Sequence, residues 1–244
     1  MPWDKTLESL FDLRDDVLDF IFPQHCVICK KYLSRKEQNV CQVCWEKLIR
    51  LPYPFCVECR SFIEKESHCR QCKDESGLGL IYSLGNFDDS YQNLVYAFKY
   101  DQLVNVGIRL GAVLGEQIRE DKRFAGFDFL VPVPLHPSRK RKRGFNQSEI
   151  LADEISQKVG LSVLKDVLRR KKRTKDQTNL NAAQRQENVR GAFKVRDQDE
   201  ILGKNIILVD DVVTTGATLK ECARSLTQAG ANSVLGLTVA VVGG

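Results

Sequence analysis

Eight of the nine cysteines fall into four CxxC pairs between residues 26 and 72, which restricts what the N-terminal part of the chain can fold into. The pairs are Cys26 and Cys29, Cys41 and Cys44, Cys56 and Cys59, and Cys69 and Cys72, with 11, 11 and 9 residues between successive pairs. Two thiolates three positions apart on a tight turn reach one tetrahedral ion at ~2.3 Å, and a second such turn completes a four-cysteine site. Four turns therefore predict about two structural Zn2+ with no coordination position left open. Consecutive pairing is favoured because it closes short loops at little entropic cost, with LPYP at 51–54 as the hinge; crossed pairing satisfies the same count. His25 and His68 adjoin cysteines, but eight thiolates suffice, so both are read as neighbours of the ligands or as surface residues. A disulfide framework is the alternative. The opening MPWDKTLESLFDLRDD argues against it, being acidic where a secretory signal is basic.

A chain of 244 residues has room for one α/β domain and a small appendage. In residues 1–24, apolar Leu7, Leu10, Phe11, Val17, Leu18 and Ile21 recur at helical spacing among acids, which predicts an amphipathic helix. Residues 25–73 form the expected zinc module. After the polar link KDESGLG, cysteine is absent for 149 residues, and residues 79–244 are expected to form the second domain. There, Leu80–Phe87 suggests a strand, and Tyr91–Gln117 two helices broken near Tyr100–Asn105. Phe127–Leu135 suggests a buried strand running into a loop, and Asn146 caps a helix that Gly160 ends. A final strand, helix and strand follow, so the fold class is α/β, a mostly parallel sheet with covering helices. Cys222 shares one apolar helical face with Leu219, Ala223 and Leu226 and is read as an inert core thiol.

The net charge of +5 is unevenly placed: between Gly126 and Arg190 there are fifteen Lys or Arg against seven Asp or Glu. One zone is built to meet anions. Its densest stretches are the five bases Arg139–Arg143 and the five bases Arg169–Arg173.

The most informative segment is Ile206–Lys220, IILVDDVVTTGATLK. An apolar strand carries two carboxylates at its carboxyl end, and a Thr/Gly turn then opens a helix near Thr218. Backbone N–H groups of Thr215, Gly216, Ala217 and Thr218, with the hydroxyls of Thr214, Thr215 and Thr218, can surround a phosphate at the positive end of that helix. Asp210 and Asp211 stand where sugar hydroxyls would donate. An ordinary strand-to-helix turn does not require two acids, Thr-Thr, Gly and Thr together.

Val209–Thr218 resembles the phosphoribosyl pyrophosphate (PRPP) motif of type I phosphoribosyltransferases. The resemblance implies a parallel five-stranded sheet, ribose hydroxyls on Asp210 and Asp211, the 5′-phosphate on Thr214–Thr218, and Mg2+ carried on the pyrophosphate. Enzymes of that superfamily acting on 6-oxopurines have an acid in the place of Thr214, so this chain does not resemble them there. With the cysteine module, FKYDQ, VPVPLHPSRKRKRGFNQSEILA and QTNLNAAQRQENVRGAF, nearly the whole chain from Cys26 onward resembles the ComF family. That family is the competence group of phosphoribosyltransferase-like proteins, and the resemblance implies a part in single-stranded DNA uptake during natural transformation.

Pro137–Phe145 follows a strand's carboxyl end, the edge where ligands bind in open α/β sheets. By resemblance it is the pyrophosphate loop, with Arg139, Lys140, Arg141, Arg143 and Gly144 as its anion-binding residues and Arg143 with Gly144 in direct contact. Arg170, Lys171 and Arg173 are placed by resemblance on the mobile loop that closes over PRPP. No base for an acceptor nucleophile is visible, so the sequence assigns no catalytic residue. Three functions fit these features: a competence factor binding single-stranded DNA or a DNA-uptake helicase or translocation partner, a metabolic phosphoribosyltransferase, and a PRPP-responsive regulator. Phe145 is the only aromatic close to the basic runs, which predicts weak base stacking. No apolar run approaches the ~20 residues of a membrane span, so the expected place is the cytoplasm, with any contact at the inner membrane face made through partners. A homodimer is compatible with the sequence.

Overall fold

The computed structural model describes residues 24–34, 37–64, 69–72, 76–172 and 182–243. The expected N-terminal helix, His68 and Arg173 lie outside the described residues. The chain divides into two compact units, residues 1–48 and 49–244. In the smaller unit His25 and Tyr32 bridge the two sides of the first cysteine turn, and helix α1 (Gln42–Glu46) follows Cys41 and buries Trp45.

The larger unit holds a five-stranded, wholly parallel sheet. Its elements are β1 (Leu78–Asn86), α2 (Asp89–Lys99), α3 (Val104–Arg119), β2 (Phe129–Pro132), α4 (Pro137–Arg143), α5 (Gln147–Val159) and β3 (Ser162–Val163). They continue as β4 (Leu168–Arg170), α6 (Ala182–Val189), β5 (Phe193–Val195), β6 (Asn205–Val213), α7 (Ala217–Gln228) and β7 (Ser233–Val241). The sheet order is β1-β7-β6-β2-β3, and β4 with β5 forms a separate antiparallel pair. The break between α2 and α3, the Asn146 cap and the left-handed Gly160 after α5 match the expectations from sequence.

Side chains alternate along β6 as strand geometry requires. Ile206 and Leu208 enter a core with Leu219, Cys222 and Leu226 of α7, while Ile207 and Val209 are buried outside it. On α3, Gly111 allows α5 to approach so closely that an added Cβ would stand 3.0 Å from the Leu151 carbonyl oxygen.

The second cysteine ribbon falls in the larger compact unit with the sheet. The reason is packing. Leu51, Phe55 and Val57 are buried in the α7-side core, and Phe55 exchanges two backbone hydrogen bonds with Ile81 of the edge strand β1.

Candidate functional site

The eight paired cysteines converge on two quartets, Cys26, Cys29, Cys41 and Cys44, then Cys56, Cys59, Cys69 and Cys72. Consecutive pairing is therefore the observed one, and no cysteine is in a disulfide. Sulfurs of Cys29 and Cys41, and of Cys59 and Cys69, stand 3.8 Å apart, which is the edge of a tetrahedron with metal–sulfur bonds of ~2.3 Å. Burial opposes ionisation of Cys26, but backbone N–H groups of Cys29 and Cys41 bring its thiol down to about 7. Hydrogen bonds from Ser61 bring Cys59 to about 6. Both donor sets fit structural Zn2+.

The two acids lie toward the carboxyl end of β6, as expected, and the strand runs on past them to Val213. Pairing with β2 stops at Pro132 and Val209, since the proline-rich VPVP segment leaves the ladder there. Beyond that point the two carboxylates are free of the β2 neighbour. Asp211 is buried, pairs with Lys99 at 2.8 Å and accepts from Gln147 Nε2 at 2.9 Å. Asp210 accepts from Ser148 Oγ at 3.1 Å and from the Asp211 amide at 2.9 Å. Burial first, and the adjoining Asp211 carboxylate second, push Asp210 up to about 7, against the pull of Lys99.

Because the folded state holds that proton more tightly than an unfolded chain with a carboxyl near ~3.9, Asp210 costs stability progressively as pH rises from about 4 through about 7. Asp210→Asn is expected to raise Tm by several degrees at pH 8 and by little at pH 4.5, read by thermal melts at both values. An equal gain at both would contradict the assignment.

Thr214–Gly216 link β6 to α7, and Gly216 caps the helix with φ +78°, a conformation suited to glycine. No described residue accepts from the Thr215 or Gly216 amide. The second cysteine ribbon lies against this loop, a neighbour the sequence did not disclose. Arg60 donates through Nη2 to the Thr214 carbonyl, Val57 occupies the space a Gly216 side chain would need, and Lys220 pairs with Glu58 at 2.5 Å. Arg60 Nη1 is buried with no hydrogen-bond partner among the described residues.

Two sequence expectations require correction. The segment after Leu135 is not a loop but helix α4. Pro137 suits a first helical position, the His136 ring accepts from the Ser138 amide, and Gly144 ends the helix with φ +88°. It keeps Arg141 and Lys142 exposed, while Lys140 is tied to Glu149 at 2.8 Å. Arg170 is not on an open loop either: it is in β4, buried, with its guanidinium 5.3 Å from the Phe193 ring centre. Burial and then the nearby Arg139 charge lower its pKa, while Cys222 and Asp210 act the other way. Lys171 is exposed and donates its amide to Ala192.

Exposed Tyr96 and Tyr100 are a further surprise, four residues apart with ring centres separated by 4.9 Å. Their i, i+4 spacing in YAFKY was the available signal. Phe145, the aromatic singled out from sequence, is instead stacked on Phe98 at 5.5 Å.

Known proteins share this organisation. The double zinc ribbon domain family matches residues 17–73, and the phosphoribosyl transferase domain family matches residues 141–242. Competence protein F of Haemophilus influenzae is 28% identical over 219 residues, covering 87% of this chain and 95% of that one. The chain is a homologue of the ComF competence proteins. ComF homology extends to competence protein ComFC of Bacillus subtilis, 26% identical with 82% of each chain covered. DNA utilization protein YhgH of Escherichia coli is 27% identical, covering 87% of this chain and 94% of that one. A glutamine PRPP amidotransferase from B. subtilis aligns at a TM-score of 0.38 and 20% identity, over 55% of this chain and 26% of that one. Among the described residues, no helix is long and apolar enough to cross a membrane.

Proposed function

We propose that this ComF homologue binds PRPP, with Mg2+ on its pyrophosphate, and handles single-stranded DNA on the same edge of the sheet. The observation that carries this reading is convergence. Lys99 of α2 and Gln147 of α5 meet Asp211, Ser148 of α5 meets Asp210, and Arg60 of the second ribbon meets Thr214, so separate parts of the chain gather about the carboxyl end of β6 and the loop after it.

Asp210 and Asp211 take the ribose hydroxyls as charged acceptors, and the loop amides with Arg60 take the 5′-phosphate at the positive end of α7. Arg139, Arg143 and Arg170 face the pyrophosphate, whose bound Mg2+ supplies further neutralising charge. Binding is the function proposed. The relatives' names, competence protein and DNA utilization protein, support a role in DNA uptake, and the proposal sets that role in the cytoplasm with a translocation partner at the membrane.

The exposed bases of α4 exceed what one pyrophosphate requires. Replacing Arg139, Lys140, Arg141 and Lys142 with Ser while keeping Arg143 is expected to weaken oligothymidylate binding about tenfold or more at low salt. The slope of log affinity against log salt should flatten by about 0.7 per lost phosphate contact. PRPP affinity should change less, because Arg143, Arg170 and the loop remain. Anisotropy and calorimetry on the same preparations read both, and unchanged DNA binding would remove α4 from the interface.

A further inference from the structure

We infer that Tyr96 and Tyr100 form a stacking platform for the bases of single-stranded DNA, beside the basic helix α4. The inference rests on the DNA-handling reading above.

Helix α2 buries Tyr91, Leu94, Val95, Ala97 and Phe98, which leaves Tyr96 on the opposite side. Tyr96 is 57% exposed and Tyr100 60% exposed, and their rings lean together at 41°. Of the ring pairs among the described residues of the larger unit, this one alone has both members exposed. Two large exposed rings, one of them also met by the Arg143 guanidinium, suit a ligand that brings its own flat apolar faces.

The surroundings identify that ligand by charge. The Arg143 guanidinium, at the end of α4, stands 5.6 Å from the Tyr100 ring centre, and Arg141 and Lys142 precede it in exposed positions. The Phe98–Phe145 stack joins α2 to the segment after α4, so aromatic platform and basic helix are held together by packing. Between the two tyrosines, Lys99 reaches the other way to Asp211, which places the platform at the rim of the proposed PRPP site. A row of bases for a phosphodiester backbone beside paired π-faces is the combination that binds single strands without sequence preference. A duplex keeps its bases stacked internally and has no use for the tyrosines.

The test is anisotropy titration of a labelled oligothymidylate and of the corresponding duplex, at several salt concentrations, with zinc-loaded full-length protein. Tyr96→Ala with Tyr100→Ala is expected to weaken single-strand binding about 10- to 100-fold, with the salt slope unchanged because no phosphate contact is lost. Duplex binding should stay within about twofold. Tyr96→Phe with Tyr100→Phe should restore single-strand binding, since the rings and not the hydroxyls do the stacking. Wild-type single-strand affinity in the alanine variant, or a loss shared equally with duplex, would overturn the platform while leaving DNA binding in place. A wild-type protein that binds no oligothymidylate at low salt would overturn the DNA reading and the platform with it.

Discussion

Loss of the second cysteine ribbon is expected to cost far more than loss of the first. Cys56→Ser with Cys59→Ser should lower zinc content from about two ions per chain to about one and lower Tm on the order of 10–20 °C. The figure follows from packing. Leu51, Phe55 and Val57 are each 5% exposed or less, and burying such a side chain contributes about 1.5–3 kcal/mol. The ribbon also covers β1, an edge strand of the sheet, through Phe55 and Ile81. With its metal gone, the turn carrying Val57 and Arg60 is no longer fixed, and the Thr214–Gly216 loop loses both neighbours. PRPP binding should therefore fall as well. Cys26→Ser with Cys29→Ser should also remove one ion yet leave the sheet's melting transition and PRPP affinity close to wild type, because those cysteines belong to a separate compact unit. Melting temperatures of the two variants within about 2 °C of each other would contradict this account of the second ribbon.

Local features were legible from sequence wherever one residue type carries the geometry. Cysteine spacing gave two four-thiolate sites, Asn146 and Gly160 bounded a helix, and the acids followed by Thr and Gly marked a strand, phosphate loop and helix. Features that depend on distant partners were not. Nothing in CVECRS announces that Arg60 will meet Thr214, a contact across 154 positions. The basic run after Leu135 reads as a loop from its place after a strand's carboxyl end and from its resemblance to a pyrophosphate loop, although Pro137 and Gly144 bound a helix there. In sequence Arg170 belongs to a charged stretch, but the alternation of β4 turns its side chain inward onto Phe193. Phe145 is next to the basic run in sequence, but its ring is half-buried and stacked on Phe98, and the exposed aromatic pair is Tyr96 and Tyr100.

The acid pair carries the second large effect. Asp210→Asn with Asp211→Asn is expected to weaken Mg2+–PRPP binding by 100-fold or more, since each charged acceptor contributes roughly 1.5–3 kcal/mol to a hydroxyl hydrogen bond. Asparagine is the informative replacement. Asp211 is buried between Lys99 and Gln147, so alanine would remove an acceptor from Gln147 and open a gap, whereas asparagine keeps an oxygen for it. The variant should still bind oligothymidylate, because neither acid belongs to the basic helix or the tyrosine pair.

Calorimetric titration of Mg2+–PRPP into the zinc-loaded wild-type chain and into the Asp210→Asn, Asp211→Asn variant tests the central assignment most directly. The structure predicts one PRPP per wild-type chain and no measurable heat of binding with the variant. A wild-type titration without binding, or a variant that binds as tightly as wild type, would contradict the assignment of the β6 acids and the Thr214–Thr218 loop as a PRPP site.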